Sequence, residues 1–171
     1  MNRLLGLTLS LLSTTLLALA ADPPKVGDPA PDVPLTATQI SSLKKGADTV
    51  SLKDLKGKVV VLFYYPKADT PGCTKESCGF RDLKKEFDAL GVVVIGFSSD
   101  KLEAQTKFTE KYNLTTPLFA DPDKKLMTAL GVKTRSTWVI DKEGKIAKIY
   151  DKVNPEKHPA EVLEFVKTLS K

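Results

Sequence analysis

Cys73 and Cys78 are the only cysteines in the chain. They lie in Phe63-Tyr64-Tyr65-Pro66-Lys67-Ala68-Asp69-Thr70-Pro71-Gly72-Cys73-Thr74-Lys75-Glu76-Ser77-Cys78, where an apolar run gives way to helical spacing. A cysteine in the first turn of a helix meets backbone N–H groups without intrahelical acceptors and the positive end of the helix dipole, so its thiolate form is favoured. A free thiol with a pKa of about 8.5 is only a few per cent ionised at pH 7, so full ionisation raises a rate by at most roughly 30-fold. Enzymes commonly need on the order of 10⁶-fold or more. Something besides the sulfur must therefore orient a reactant and stabilise a transition state.

The candidates for that work are few. Thr70, three residues before Cys73, can hydrogen-bond at the site, and the N–H groups of Gly72 and Cys73 can face a substrate. Pro66 and Pro71 stiffen the loop. Arg135 sits just before a predicted strand that can lie beside the first one, which would bring a permanent cation to the thiolate. Each has a plainer use: Thr70 as a turn or cap residue, the prolines as loop punctuation, Arg135 as a surface ion-pair partner. Glu76 can complement the helix dipole or hold Arg135. Arg81 and His158 are expected on solvated helix faces or ends, and Trp138 in the core.

Cys78 follows Cys73 by five positions. On an intact helix that is a rise of ~7.5 Å and a turn of ~140°, or roughly 8 to 9 Å between Cα atoms, whereas a disulfide needs less than ~7 Å. Pairing these residues would take the helix start apart and make the bond a switch. A permanent disulfide bracing an irregular segment is the alternative.

The elements that must position these groups are readable from periodicity. Residues 59–65 form a continuous run rich in β-branched and aromatic side chains, as a strand buried on both faces does, and Pro66 ends it. Phe80, Leu83, Phe87 and Leu90 predict a helix over residues 74–90 with Gly91 as its cap. Further elements are expected at 92–97 (strand), 102–112 (helix), 118–120 (strand) and 124–130 (short helix). Strands at 137–140 and 145–150 are joined by Asp141-Lys142-Glu143-Gly144, a hairpin signal, and a closing helix covers 160–169. A Pro-rich lead-in and a polar stretch, residues 36–49, precede the first strand. The order predicts an α/β sandwich with a mixed sheet.

The chain has 171 residues, 42% of them hydrophobic, enough for one domain whose core needs no disulfide staples. Disorder and collagen-like structure are excluded by a 27% charged fraction of ordinary balance. One histidine and two cysteines leave almost no material for a zinc site, and the haem-attachment pattern is absent, so no metal and no cofactor are expected. The net charge of +5 is spread over every predicted helix, which reads as a solvated surface and excludes nucleic acid as an expected partner. Residues 1–20 have one basic residue, a short apolar core and a terminal Ala18-Leu19-Ala20, the pattern of a signal peptide cleaved after Ala20. The domain is then expected over residues 21–171, exported, with a bacterial periplasm first and another secreted or lumenal compartment as the alternative. No membrane association is expected after cleavage.

Pro66-x-x-x-Thr70-x-x-Cys73 resembles the active-site signature of the peroxiredoxins. Thr70-Pro71-Gly72-Cys73-Thr74-x-Glu76 with Phe80-Arg81-Asp82 is similar to the branch called peroxiredoxin Q or bacterioferritin comigratory protein. The resemblance runs from Val26-Gly27-Asp28-Pro29-Ala30-Pro31 through Arg135-Ser136-Thr137 to the closing helix. It implies a thioredoxin-like fold and a thiol peroxidase acting on hydrogen peroxide and organic hydroperoxides. Cys73 would attack the peroxide and become a sulfenic acid, which Cys78 would resolve as an intramolecular disulfide. Thr70, Gly72 and Arg135 would bind substrate with Cys73, and Pro66 would shield the site. Arg135 would also stabilise the thiolate and polarise the O–O bond. A thioredoxin-like reductant and a monomeric state are implied as well. Two rival readings remain at this point: a thiol-disulfide oxidoreductase of the same fold, which generally pairs C-x-x-C, and a non-catalytic secreted binding domain braced by the disulfide.

Overall fold

The computed structural model describes residues 22–169; the signal-peptide reading of residues 1–20 lies outside them. Six strands form one mixed sheet in the order β1-β4-β3-β2-β5-β6. They are β1 (Thr36–Ala37), β2 (Val59–Tyr64), β3 (Val92–Ser98), β4 (Leu118–Ala120), β5 (Ser136–Ile140) and β6 (Ile146–Tyr150). Strand β2 runs parallel to β3 and antiparallel to β5, and β3 runs parallel to β4.

The unbroken apolar run of β2 has a two-faced cause. Val60, Leu62 and Tyr64 enter one core with Phe97, Phe119, Trp138 and Ile140. Val59, Val61 and Phe63 enter the other with Phe80, Phe87, Phe108 and Val162. A strand alternates its side chains, so both sets must be apolar when both faces are covered. Burying each such side chain contributes about 1.5–3 kcal/mol. Helices α2 (Pro71–Asp82), α3 (Lys84–Ala89), α4 (Leu102–Tyr112) and α6 (His158–Leu169) supply the second core, and α5 (Lys125–Ala129) with a 3₁₀ turn at Leu52–Leu55 supplies the first.

Beyond one-residue shifts at element ends, several boundaries differ from the expectations. The long helix begins at Pro71, with proline in the first turn where its missing N–H is harmless, and it is interrupted at Leu83, where ψ is 7°. The interruption is one residue wide: Leu83 N–H still reaches Gly79 O, and Phe87 N–H reaches Leu83 O, so the apolar spacing runs through it unchanged. The polar stretch before β2 holds β1 and the four-residue α1 (Ile40–Leu43), both too short to leave a period. The last helix starts at His158, two residues early.

That start corrects the placement of His158. Its ring is 1% exposed, hydrogen-bonds with Thr137 Oγ1 at 2.8 Å and stands edge-on to Tyr150 and Phe80. The turn at Asn154, whose carbonyl accepts the His158 N–H, tips the helix start into the core. Burial lowers the pKa of His158 to about 4. Arg81 lies at the surface end of α2, bonded to Asp82 and the Tyr112 carbonyl, and Trp138 is in the core.

At Gly79 the α2 and α6 helices approach closely: a Cβ there would stand 2.8 Å from Pro159 Cγ. Gly144 has φ +82° in the β5–β6 turn, the conformation that its position in the hairpin signal predicts.

Candidate active site

The site forms where β2 stops. Tyr65 N–H is still bonded to Phe97 O, then residues 66–69 turn away and Thr70 caps α2 with extended backbone (φ −99°, ψ 154°). The first bond into the helix is Thr74 N–H to Thr70 O at 2.8 Å. Pro71 has no N–H, so the amides of Gly72 and Cys73 are the two donors of the first turn outside the ladder. Cys73 is therefore placed with unpaired N–H groups and the helix dipole around it.

Strand β5 is antiparallel to β2 with Tyr64 opposite Ser136, and the residue before Ser136 consequently lies beside the strand-to-helix junction. Arg135 Nη2 donates to Cys73 Sγ at 3.1 Å, and Arg135 Nη1 donates to Glu76 Oε2. Glu76 is one helical turn after Cys73, on the same face. The guanidinium thus bridges two side chains of the helix, a fork that a lysine cannot reproduce. Of the two uses open to Glu76, the one made is to hold Arg135.

Glu76 is fully buried, and Oε1 has no hydrogen-bond partner among the described residues. Burial raises its pKa to about 7 against the opposing pull of Arg135. On Arg135, burial opposes the charge, but Glu76 and Cys73 outweigh it and hold the guanidinium above its ordinary value. Cys73 itself is 2% exposed, so only a small reactant group can reach its sulfur.

The remaining candidates stand around this centre in different ways. Gly72 presses on Arg135: a Cβ there would lie 3.4 Å from Nη2 and 3.7 Å from Pro155 Cγ. Thr70 Oγ1 donates to Lys67 O at 3.0 Å, which is the turn-forming use, and leaves its oxygen able to accept a bond. Pro66 is exposed at the end of β2. Cys78 is half-buried on the same continuous helix as Cys73, and both are free thiols.

Several supporting residues escaped the sequence reading. Asp69 has φ +60°, and its carboxylate takes Lys111 Nζ and Tyr112 Oη at 2.7 Å each, contacts that hold its pKa below the ordinary range. Asp100 Oδ2 accepts the Ala68 N–H at 2.7 Å. Single aspartates in loops have so many local uses that nothing in the sequence marked these two. The positive φ at Asp69 is one that Asn, Asp and Gly tolerate best. No cluster of three or more His, Cys, Asp or Glu suited to a metal occurs among the described residues.

Comparison with known proteins points the same way. Residues 26–149 match the model of the AhpC/TSA family. The chain is 40% identical over 160 residues to Peroxiredoxin Bcp of Bacillus subtilis, covering 85% of this chain and 97% of that one. Its fold is similar to a mutant of PrxQ from Xylella fastidiosa, with a TM-score of 0.78 at 28% identity over 88% of this chain and 100% of that one. It is also similar to peroxidoxin BcpB from Mycobacterium tuberculosis, with a TM-score of 0.75 at 32% identity over 85% and 98% of the two chains.

Proposed function

Because this chain belongs to the AhpC/TSA family, in its Bcp/peroxiredoxin Q branch, and is a thiol-dependent peroxidase, we propose that Cys73 is the residue that meets the peroxide. The observation that carries this is the Arg135 Nη2 to Cys73 Sγ contact of 3.1 Å in the first turn of α2. Fixed positive charge and unpaired amides converge on one sulfur, and the same groups can grip an incoming anion-like oxygen.

In the reaction the Cys73 thiolate attacks one peroxide oxygen. The S–O bond forms as the O–O bond breaks, and the alkoxide or hydroxide leaves and takes up a proton. Arg135 and the Gly72 and Cys73 amides offset the charge that moves onto the leaving oxygen, while Thr70 binds the peroxide and Pro66 shields the sulfur. The Cys73 sulfenic acid is then attacked by the Cys78 thiolate, forming S–S and releasing water. A continuous helix between the two cysteines supports the switch reading of that disulfide, since five residues of intact α-helix hold Cα atoms roughly 8 to 9 Å apart. A thioredoxin-like dithiol returns both to thiols.

The substrates in this reading are hydrogen peroxide and organic hydroperoxides. It is supported by similarity to the Xanthomonas campestris bacterioferritin comigratory protein, studied for alkyl peroxide reduction, at 29% identity and a TM-score of 0.74. The protein acts as an exported, most simply periplasmic, monomer after loss of residues 1–20. The spacing C-x4-C, with Arg135 on the first sulfur, favours this over a thiol-disulfide oxidoreductase.

Stopped-flow peroxide reduction by the reduced protein tests it. Wild type is expected to consume one equivalent rapidly and lose both thiols. Cys73→Ser is expected to consume none, and Cys78→Ser to react once and retain a sulfenic acid. Activity in Cys73→Ser but not in Cys78→Ser would reverse the two roles.

A further inference from the structure

We infer that Asp100 is a positioning residue for the peroxidase reaction, anchoring the loop between β2 and α2 through a hydrogen-bond chain that begins and ends on that loop. The inference rests on the peroxidase reading and adds to it a residue that never touches the reacting atoms.

The chain can be followed atom by atom. Tyr65 Oη, on the last residue before Pro66, donates to Gln105 Oε1. Gln105 Nε2 donates to Ser98 Oγ at 2.8 Å and to Phe119 O at 3.1 Å. Ser98 Oγ donates to Asp100 Oδ2 at 2.7 Å, and the same oxygen accepts the Ala68 N–H at 2.7 Å. Every link has one donor and one acceptor, and they converge on the Asp100 carboxylate. Tyr65, Ser98 and Gln105 are fully buried, so water is kept from the links among them, and the chain reaches the half-buried Asp100 and Ala68 at its outer end.

Asp100 is not occupied in capping α4. Its N-cap is Lys101, with no side-chain cap bond, and its first intrahelical bonds run from the Ala104 and Gln105 amides to Lys101 O; the Asp100 carboxylate is given to the Ala68 amide and the Ser98 hydroxyl. Ala68 stands two residues before Thr70, between Pro66 and the helix cap. A second and separate tie lies one residue on, where Asp69 meets Lys111 and Tyr112 at the other end of α4. Helix α4 therefore frames the loop from both of its ends. Displacing Ala68 would shift Thr70 and the amides of the first turn relative to Arg135, which is carried by a different strand. Misplacement on the order of 1 Å is enough to cost about a hundredfold in rate.

The test pairs a kinetic with a non-kinetic readout. In Asp100→Ala, the second-order rate constant for peroxide, per reactive thiol, is expected to fall about tenfold or more. Asp100→Asn, whose amide oxygen can still accept from Ala68, is expected to recover to within about threefold of wild type. Ala68 amide hydrogen exchange, read by NMR, is expected to be at least about tenfold faster in Asp100→Ala than in wild type. If Asp100→Ala does not fold, Asp100→Glu, which keeps the charge but moves the oxygen by one methylene, is expected to show the same two changes in milder form.

An unchanged rate constant, or a lowered melting temperature with an unchanged rate per folded molecule, overturns the inference. So does an Ala68 amide that exchanges equally fast in both proteins. A wild type that consumes no peroxide would instead remove the reaction that Asp100 serves. Amide exchange separates that failure from failure of the anchor.

Discussion

Arg135 divides its guanidinium between a sulfur and a buried carboxylate, and the two attachments do different work. The Nη2 contact lies on Cys73, the residue proposed to meet the peroxide. The Nη1 contact compensates Glu76, which would otherwise be a fully buried, uncompensated acid. Removing one partner of a buried ion pair costs about 3–5 kcal/mol because the other charge is stranded. Arg135→Ala should therefore lose about 3 kcal/mol in urea unfolding at pH 8. It should lose less at pH 6, where Glu76, whose pKa burial raises to about 7 even with Arg135 in place, is mostly protonated in both proteins. Adding Glu76→Gln to Arg135→Ala should restore most of the stability and none of the peroxide rate. Recovery of both would mean that Arg135 serves only the fold. Cys73 and Arg135 were legible in the sequence because each occupies a junction, one after a strand and one before it, where side chains converge. Thr70 could be marked as a candidate by its spacing from Cys73, but the bond of its hydroxyl to Lys67 O depends on a turn with Asp69 at positive φ, which spacing alone does not reveal.

At the scale of elements, α2 must be held firmly enough to aim Cys73, and much of that grip comes from α6. Gly79 is where the two helices come together, with Pro159 opposite. Gly79→Ala would raise the intrinsic helix propensity of α2 by about 1 kcal/mol. The new Cβ would meet Pro159 Cγ at 2.8 Å, a ring atom on a helix start that cannot swing aside, and overpacking of this kind costs about 1–3 kcal/mol. The expected result is a net loss in thermal unfolding together with a slower peroxide step; a gain in melting temperature would show that α6 yields easily. Elements with many apolar repeats, such as β2, β3 and α4, could be placed from the sequence because burial on defined faces writes a period into them. Strand β1, two residues long, is defined only by its pairing with β4, and the start of α6 is defined by a buried histidine. Tertiary contacts determine both, and local pattern carries no trace of them.

For the whole molecule, two buried titrating groups set opposite pH dependences. The pKa of Glu76 is raised from 4.5 to about 7, mainly by burial, so the native state holds its proton longer than the unfolded chain does. Its contribution to stability is complete below about pH 4.5 and is lost as pH rises towards about 7. The pKa of His158 is lowered from 6.5 to about 4, also mainly by burial. The native state therefore binds fewer protons there, and stability rises with pH over that window. The two slopes overlap and oppose each other, so wild type should show a shallow profile across the shared range. Urea unfolding between pH 4 and 7.5 should expose them separately: stability rising with pH in Glu76→Gln, and falling with pH in His158→Gln. Parallel profiles in the two variants would mean that other groups control acid stability. The α/β class was readable at this scale from element order alone, but the pairing of these two groups was not, since His158 reads as a surface residue until the fold encloses it.

The bonds that cross Leu83 also join the first turn of α2 to α3. With Pro71 at one end and a ψ of 7° at the other, α2 is a twelve-residue segment still tied to α3 by the Leu83 N–H to Gly79 O and Phe87 N–H to Leu83 O bonds. Phe87, fully buried in the second core, anchors the far end of that run beneath the sheet, so the aim of the sulfur is referred to the core as well as to its own turn.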